Sequence, residues 1–129
     1  MRRKYSEYKA VAIDERVKPV RLVDKETGQE YILDFSRDSV RFAEARGFKP
    51  DEVMDFPSTK IPELFFYAFR KNHKNVAKNQ SDAILFEQLR GISAPLLERL
   101  IQLYNQAALT HLIATEEDVE KNARMTVEL

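Results

Sequence analysis

Apolar positions along this chain repeat with two different spacings. Near the start they alternate. Val20-Arg21-Leu22-Val23 and Tyr31-Ile32-Leu33-Asp34-Phe35 read as two strands, with Tyr31, Leu33 and Phe35 on one face and Ile32 and Asp34 on the other. The polar stretch Asp24 to Glu30 joins them, and Gly28 supplies the positive φ that a longer hairpin loop often needs. Pro19 has no N–H and suits a strand start or edge. A lone hairpin is marginal in water, so this one must pack on helices or pair with another strand.

From Ser36 onward the apolar positions follow the helical period of about 3.6 residues. Ser36 or Asp38 can cap a helix through Val40, Phe42, Ala43 and Ala45, which Gly47 stops; Phe48 falls where a glycine-terminated helix places its apolar contact. Pro50, Asp51 and Glu52 fit a short helical turn, their charges suiting the positive end of its dipole, and Pro57 is expected to end it. Ser58 or Thr59 then caps an aromatic helix with Pro62 in its first turn. On that helix Ile61, Leu64, Phe65 and Ala68 share a stripe with Phe69 at its edge, and Phe66 and Tyr67 flank it on opposite sides. A helix apolar around most of its circumference must be covered on more than one side, by the rest of the core or by another chain.

Ser81 is a cap candidate for a helix through Ile84, Leu85 and Leu89, closed by Gly91. Ser93 caps the most strongly periodic segment. There Leu96, Leu97, Leu100, Ile101, Leu103, Tyr104, Ala107 and Ala108 form one broad stripe, with Glu98, Arg99, Gln102, Asn105 and Gln106 opposite. Beyond Ile113 the composition turns polar. Thr115-Glu116-Glu117-Asp118 resembles a capping box, and Ala123 to Leu129 carries no strong pattern. The expected architecture is α+β and mostly α-helical, with an N-terminal hairpin followed by about four to five helices. It divides into an arm over 1–16, one α+β domain over 17–113 (hairpin 20–35, helical 38–113) and a polar tail or short helix over 114–129.

Composition narrows the function classes. Among 129 residues, 43% are hydrophobic and 33% charged, which is globular rather than disordered. Lys plus Arg equals Asp plus Glu at 21 each, a balance that argues against a dedicated nucleic-acid binder. The absence of Cys excludes disulfides and thiolate metal sites and fits a reducing compartment. No apolar run approaches the roughly 20 residues of a membrane span, and Ala10 to Ile13 is too short for a signal-peptide core. The expectation is a soluble, cytoplasmic protein.

No reaction centre emerges. The two histidines, His73 and His111, fall on different predicted helices and lack metal-ligand spacing. The serines mostly sit at cap positions, the three glycines lie far apart, and the acidic clusters at Asp51 to Asp55 and Glu116 to Asp118 fit helix starts. No catalytic, cofactor or metal residue is assigned; the pattern points to a protein that binds rather than reacts. The candidate contact residues are Phe66 and Tyr67, the basic run Arg70, Lys71 and Lys74, and the pair Leu109 and Ile113. The basic run, continued by Lys78, suits either a solvated helix end or a patch for an acidic partner or nucleic acid. Leu109 and Ile113 fall on the polar side of the last helix, either as scattered surface residues or as a second contact surface.

The order Tyr31 to Phe35, Ser39 to Phe48, Phe65 to His73 and Leu96 to Tyr104 resembles the tail assembly chaperones of long, flexible-tailed bacteriophages and prophages of Gram-positive bacteria. The resemblance covers roughly Val20 to Ala108 and rests on apolar and aromatic order. It implies a small, mainly helical non-enzyme of the host cytoplasm that self-associates. It further implies binding to the tape measure protein, help in recruiting tail tube subunits, and a longer frameshifted product. A small nucleic-acid-binding regulator using the basic helix end is the alternative.

Overall fold

A computed structural model describes residues 16–109, 112 and 122–129. The arm expected over 1–16, apart from Arg16, lies outside the described residues, as do His111, Ile113 and the capping box expected at Thr115. The chain is α+β and mostly helical, with a hairpin near its start followed by four helices. Strand β1 (Val20–Val23) pairs antiparallel with β2 (Glu30–Leu33) in the register Val20↔Leu33, Arg21↔Ile32, Leu22↔Tyr31 and Val23↔Glu30. Asp24 organises the loop: its carboxylate accepts the N–H groups of Glu26 and Thr27, and its carbonyl accepts that of Gly28, at φ 78°. Those N–H bonds hold the Asp24 carboxyl below its ordinary range.

Helix α1 (Arg37–Ala45) starts at Ser36, whose Oγ accepts the Ser39 N–H while Ser39 Oγ accepts the Ser36 N–H. Of the two caps expected, Ser36 is the one used. The helix stops as its sequence predicts. Gly47 donates to the Glu44 carbonyl and Phe48 to the Ala43 carbonyl, with Gly47 at φ 81° and the Phe48 ring buried.

A single 3₁₀ turn (Pro50–Glu52) leads to α2 (Pro57–Phe69). Here the expected start is corrected. Pro57 opens the helix instead of ending the preceding turn, neither Ser58 nor Thr59 caps it, and Pro62 lies inside it. A proline at the first helical position loses no bond and arrives with its φ preset. Pro62 does remove a donor, and the acceptor it deprives belongs to the exposed Ser58.

Helix α3 (Lys78–Ala83) continues into a π-helical turn (Ile84–Gln88), and α4 (Ala94–Leu109) follows. Ser81 is not the cap of α3. The Gln80 side chain accepts the Ala77 N–H at the helix start, and Ser81 is fully buried, its hydroxyl donating to the Lys78 carbonyl. Ser93 does cap α4, accepting the Leu96 N–H.

Helix α2 is the centre of the molecule, packing against α1, α3, α4 and β2. Leu64, Phe65, Ala68 and Phe69 are buried with Leu33, Phe35, Val40, Phe48, Leu100 and Tyr104. The cover demanded by an apolar circumference is therefore mostly the chain's own core. Edge-to-face ring contacts join the layers: Phe65 to Phe69, Phe69 to Tyr31, Phe35 to Tyr104, and Phe48 to both Tyr104 and Tyr67.

Candidate functional site

The aromatic flank of α2 does not form the contact surface its sequence suggests. Tyr67 is 5% exposed, wedged edge-on against Phe42 and Phe48, and belongs to the core. Burial pushes its phenol up from the ordinary value, and the nearby Glu63 adds to the shift while Arg46 opposes it. Phe66 is half-buried and leans on Tyr67. Sequence alone misses the reason: α1 and its cap fold over this side of α2 and cover it.

The basic run is divided in the structure. Lys71 Nζ lies 2.6 Å from Asp34 Oδ2, and Asp34 Oδ1 accepts the Phe35 N–H at 2.8 Å. Asp34, expected with Ile32 on the strand face opposite Leu33, is 8% exposed and past the end of β2, where Lys71 supplies the opposite charge that burial requires. Lys78 pairs with Asp82 one helical turn on, at 2.7 Å. Arg70 lies over the Phe42 ring at 3.6 Å, and Arg46 lies over the same ring at 3.5 Å. Two guanidiniums at that height can share a ring only from opposite faces. Lys74 is exposed. Arg41, Arg70, Lys71 and Lys74 meet around a cleft of about 430 Å³ at the start of α1, which also holds Asp38.

His73 has a structural task the sequence did not suggest. Its Nε2 accepts the Ile32 N–H at 2.9 Å, while Asn72 donates to the Ile32 carbonyl at 3.2 Å. The imidazole ring also stands edge-on to Tyr31. Together these groups close the outer edge of β2. Among the described residues, no cluster of three or more His, Asp or Glu could hold a metal ion.

The apolar groove with the strongest contact character lies elsewhere, between the start of α2 and the π-helical turn. Pro57, Ile61, Pro62, Leu85, Phe86, Gly91 and Ile92 line a cavity of about 390 Å³. The rings of Phe86 and Phe56 are each 58% exposed, and Met54 is also exposed. The π-helical turn explains part of this geometry. Leu89 donates to the Ile84 carbonyl, and Gly91 donates to Leu85. The widened turn exits through two left-handed residues, Arg90 at φ 58° and Gly91 at φ 107°. Leu85 is 2% exposed while its neighbour Phe86 stands out, as the roughly 100° step between successive helical residues places them. Leu109, at the end of α4, is half-buried. The sequence gives no sign of the groove because its two walls come from segments far apart in the chain, Pro57 to Pro62 and Leu85 to Ile92.

A family model described as "Domain of unknown function (DUF5055)" matches residues 14–129. No curated protein and no solved structure matches the chain. Among the described residues, no helix is long and apolar enough to cross a membrane.

Proposed function

We propose that this chain, which belongs to the DUF5055 family, is a tail assembly chaperone of long-tailed phages that self-associates and binds the tape measure protein. The observation that carries this reading is the apolar groove lined by the exposed ring of Phe86, with exposed Phe56 next in the chain to the groove residue Pro57. An open groove with protruding aromatics suits the apolar stripe of a helix, and a long helical partner presents such a stripe repeatedly. Aromatic rings supply large contact areas at modest entropic cost, and near-zero net charge does not oppose assembly. The work is binding without catalysis, in the host cytoplasm, with the tail tube protein as a further partner. Co-purification with a tape measure fragment tests it. Phe56→Glu with Phe86→Glu should abolish capture while leaving the circular dichroism spectrum intact. Capture unchanged by both substitutions, or absent in the parent chain, would refute it.

The cleft lined by Arg41, Arg70, Lys71 and Lys74 supports a second reading, a nucleic-acid-binding regulator. It is the weaker of the two because Lys71 and Lys78 already face carboxylates. Salt-dependent retention of DNA or RNA, lost on changing Arg70 and Lys74 to Glu, would favour it; no retention at low salt dismisses it.

A further inference from the structure

Among the described residues, the hairpin has one closed edge and one open edge. The Ile32 N–H and carbonyl are taken by His73 and Asn72, so the Arg21/Ile32 pair exchanges no ladder bonds. In an antiparallel pair bonded and non-bonded positions alternate, which puts the ladder bonds at Val20/Leu33 and Leu22/Tyr31. The next bonded position, where the Asp24 N–H donates to Gln29, agrees. The N–H and carbonyl groups of Arg21 and Val23 therefore face away from β2, and among the described residues nothing bonds to them. The approach to β1 is held differently: Gln106 accepts the Val17 N–H and Arg99 donates to the Lys18 carbonyl. The opening is thus confined to Arg21 through Val23. Beside it lies a groove of about 580 Å³ whose apolar lining is Leu22, Val23, Tyr31, Ile84 and Leu89.

A matching segment exists in the same chain. Met125, Val127 and Leu129 alternate with Thr126 and Glu128, the spacing of a strand with one apolar face. Their side chains find no cover: Met125 is 82% and Val127 73% exposed, and Leu129 is wholly exposed.

We infer that residues Met125 to Leu129 of a second copy add as a strand to the open edge of β1, with their apolar side chains seated in the adjoining groove. The segment is about as long as β1 and so long enough to cover the opening from Arg21 to Val23. Seating the apolar face in the groove turns Thr126 and Glu128 to the solvent side, where Arg21 lies exposed in its ion pair with Glu30. Backbone bonds supply the attraction and the alternate side chains set the register. Each copy carries one edge and one such segment, so exchange can close a pair or propagate as a filament. The inference rests on the self-association in the proposed function and gives it a mechanism.

Sedimentation velocity over a concentration range tests it on the full chain and two variants. Met125→Glu with Val127→Glu changes only exposed side chains and should weaken association roughly tenfold or more. Val23→Pro removes an outward N–H at an edge position, where proline is tolerated, and should act similarly with the fold confirmed by circular dichroism. A synthetic peptide of residues 122–129 should dissociate the parent complex and leave Met125→Glu/Val127→Glu material unaffected. Association of both variants as strong as the parent's would overturn the edge-strand inference while leaving self-association standing. A parent chain that stays monomeric, yet protects the Arg21 and Val23 amides from hydrogen exchange only when Met125 and Val127 are intact, would show closure within one chain and overturn the second-copy assignment. A monomeric parent without such protection would remove both the inference and the self-association half of the proposed function.

Discussion

Tyr104 carries its hydroxyl into the core and, among the described residues, finds no hydrogen-bond partner for it there. Its ring is held edge-on by Phe35 and Phe48, and the residue is 2% exposed. Burial raises the phenol to about 12 from an ordinary value near 10, with Glu44 and Tyr67 adding to the shift. Between those values the unfolded chain ionises this group while the folded chain keeps its proton, so stability must fall as pH rises through that window. Replacement by Phe removes both the orphaned hydroxyl and this titration. Tyr104→Phe should match or exceed the parent near neutral pH, by roughly 1 kcal/mol, because a buried unsatisfied polar group costs about 1–3 kcal/mol. It should also soften the alkaline loss, with Tyr67 retaining a share. Urea titrations at neutral and alkaline pH measure both effects; a variant less stable than the parent at every pH would show that the hydroxyl has a partner after all.

At the scale of elements, each helix end illustrates how far local chemistry goes. The start of α1 at Ser36 or Asp38 and the Gly47–Phe48 stop were readable because a cap needs only residues within a turn of it; the structure chose Ser36, with Ser39 reciprocating. Gly47→Ala should cost about 1–2 kcal/mol from the left-handed backbone alone, since the space around the glycine is open. Thermal denaturation checks this; an unchanged midpoint would mean that the chain re-routes between α1 and the Pro50 turn. The misreadings share a cause. Pro57 suits either the end of one helical turn or the first position of the next helix, and it takes the second role. Ser81 looks like a cap, yet its small size lets α3 sit close to α2, and Gln80 takes over the end. The Ile84 to Gln88 turn gives no sequence signal of its π register, which shows only in the Leu89 N–H reaching back five residues to Ile84.

For the whole molecule, α2 is the post against which every other layer is built, and Phe65 is one of its fully buried side chains. Phe65→Ala should cost about 3–5 kcal/mol, the usual range for such a truncation. That is a large part of the roughly 5–15 kcal/mol that stabilises a domain, so the variant should unfold at markedly lower denaturant while keeping one cooperative transition. Two separable transitions would show that the hairpin and the helices are not one core. The same centrality explains where contact surfaces remain. With α2 enclosed, exposed apolar groups are pushed to the rim: to the groove between the start of α2 and the π-helical turn, to the hairpin edge, and to Met125, Val127 and Leu129.

The sequence by itself determined the hairpin, the α+β class, the stop at Gly47 and the cap at Ser93. These depend on spacings of a few residues, where backbone geometry leaves little choice. Only the tertiary structure decided which rings are buried and which charges are paired. Tyr67 became core because α1 covers it; Lys71 became the counter-ion of Asp34, and His73 the clip of Ile32, because the turn after α2 brings them against β2. Those partners lie tens of residues apart, and burial, which sets the cost of leaving a charge or an N–H unpaired, is a property of the packed chain and not of any window along it.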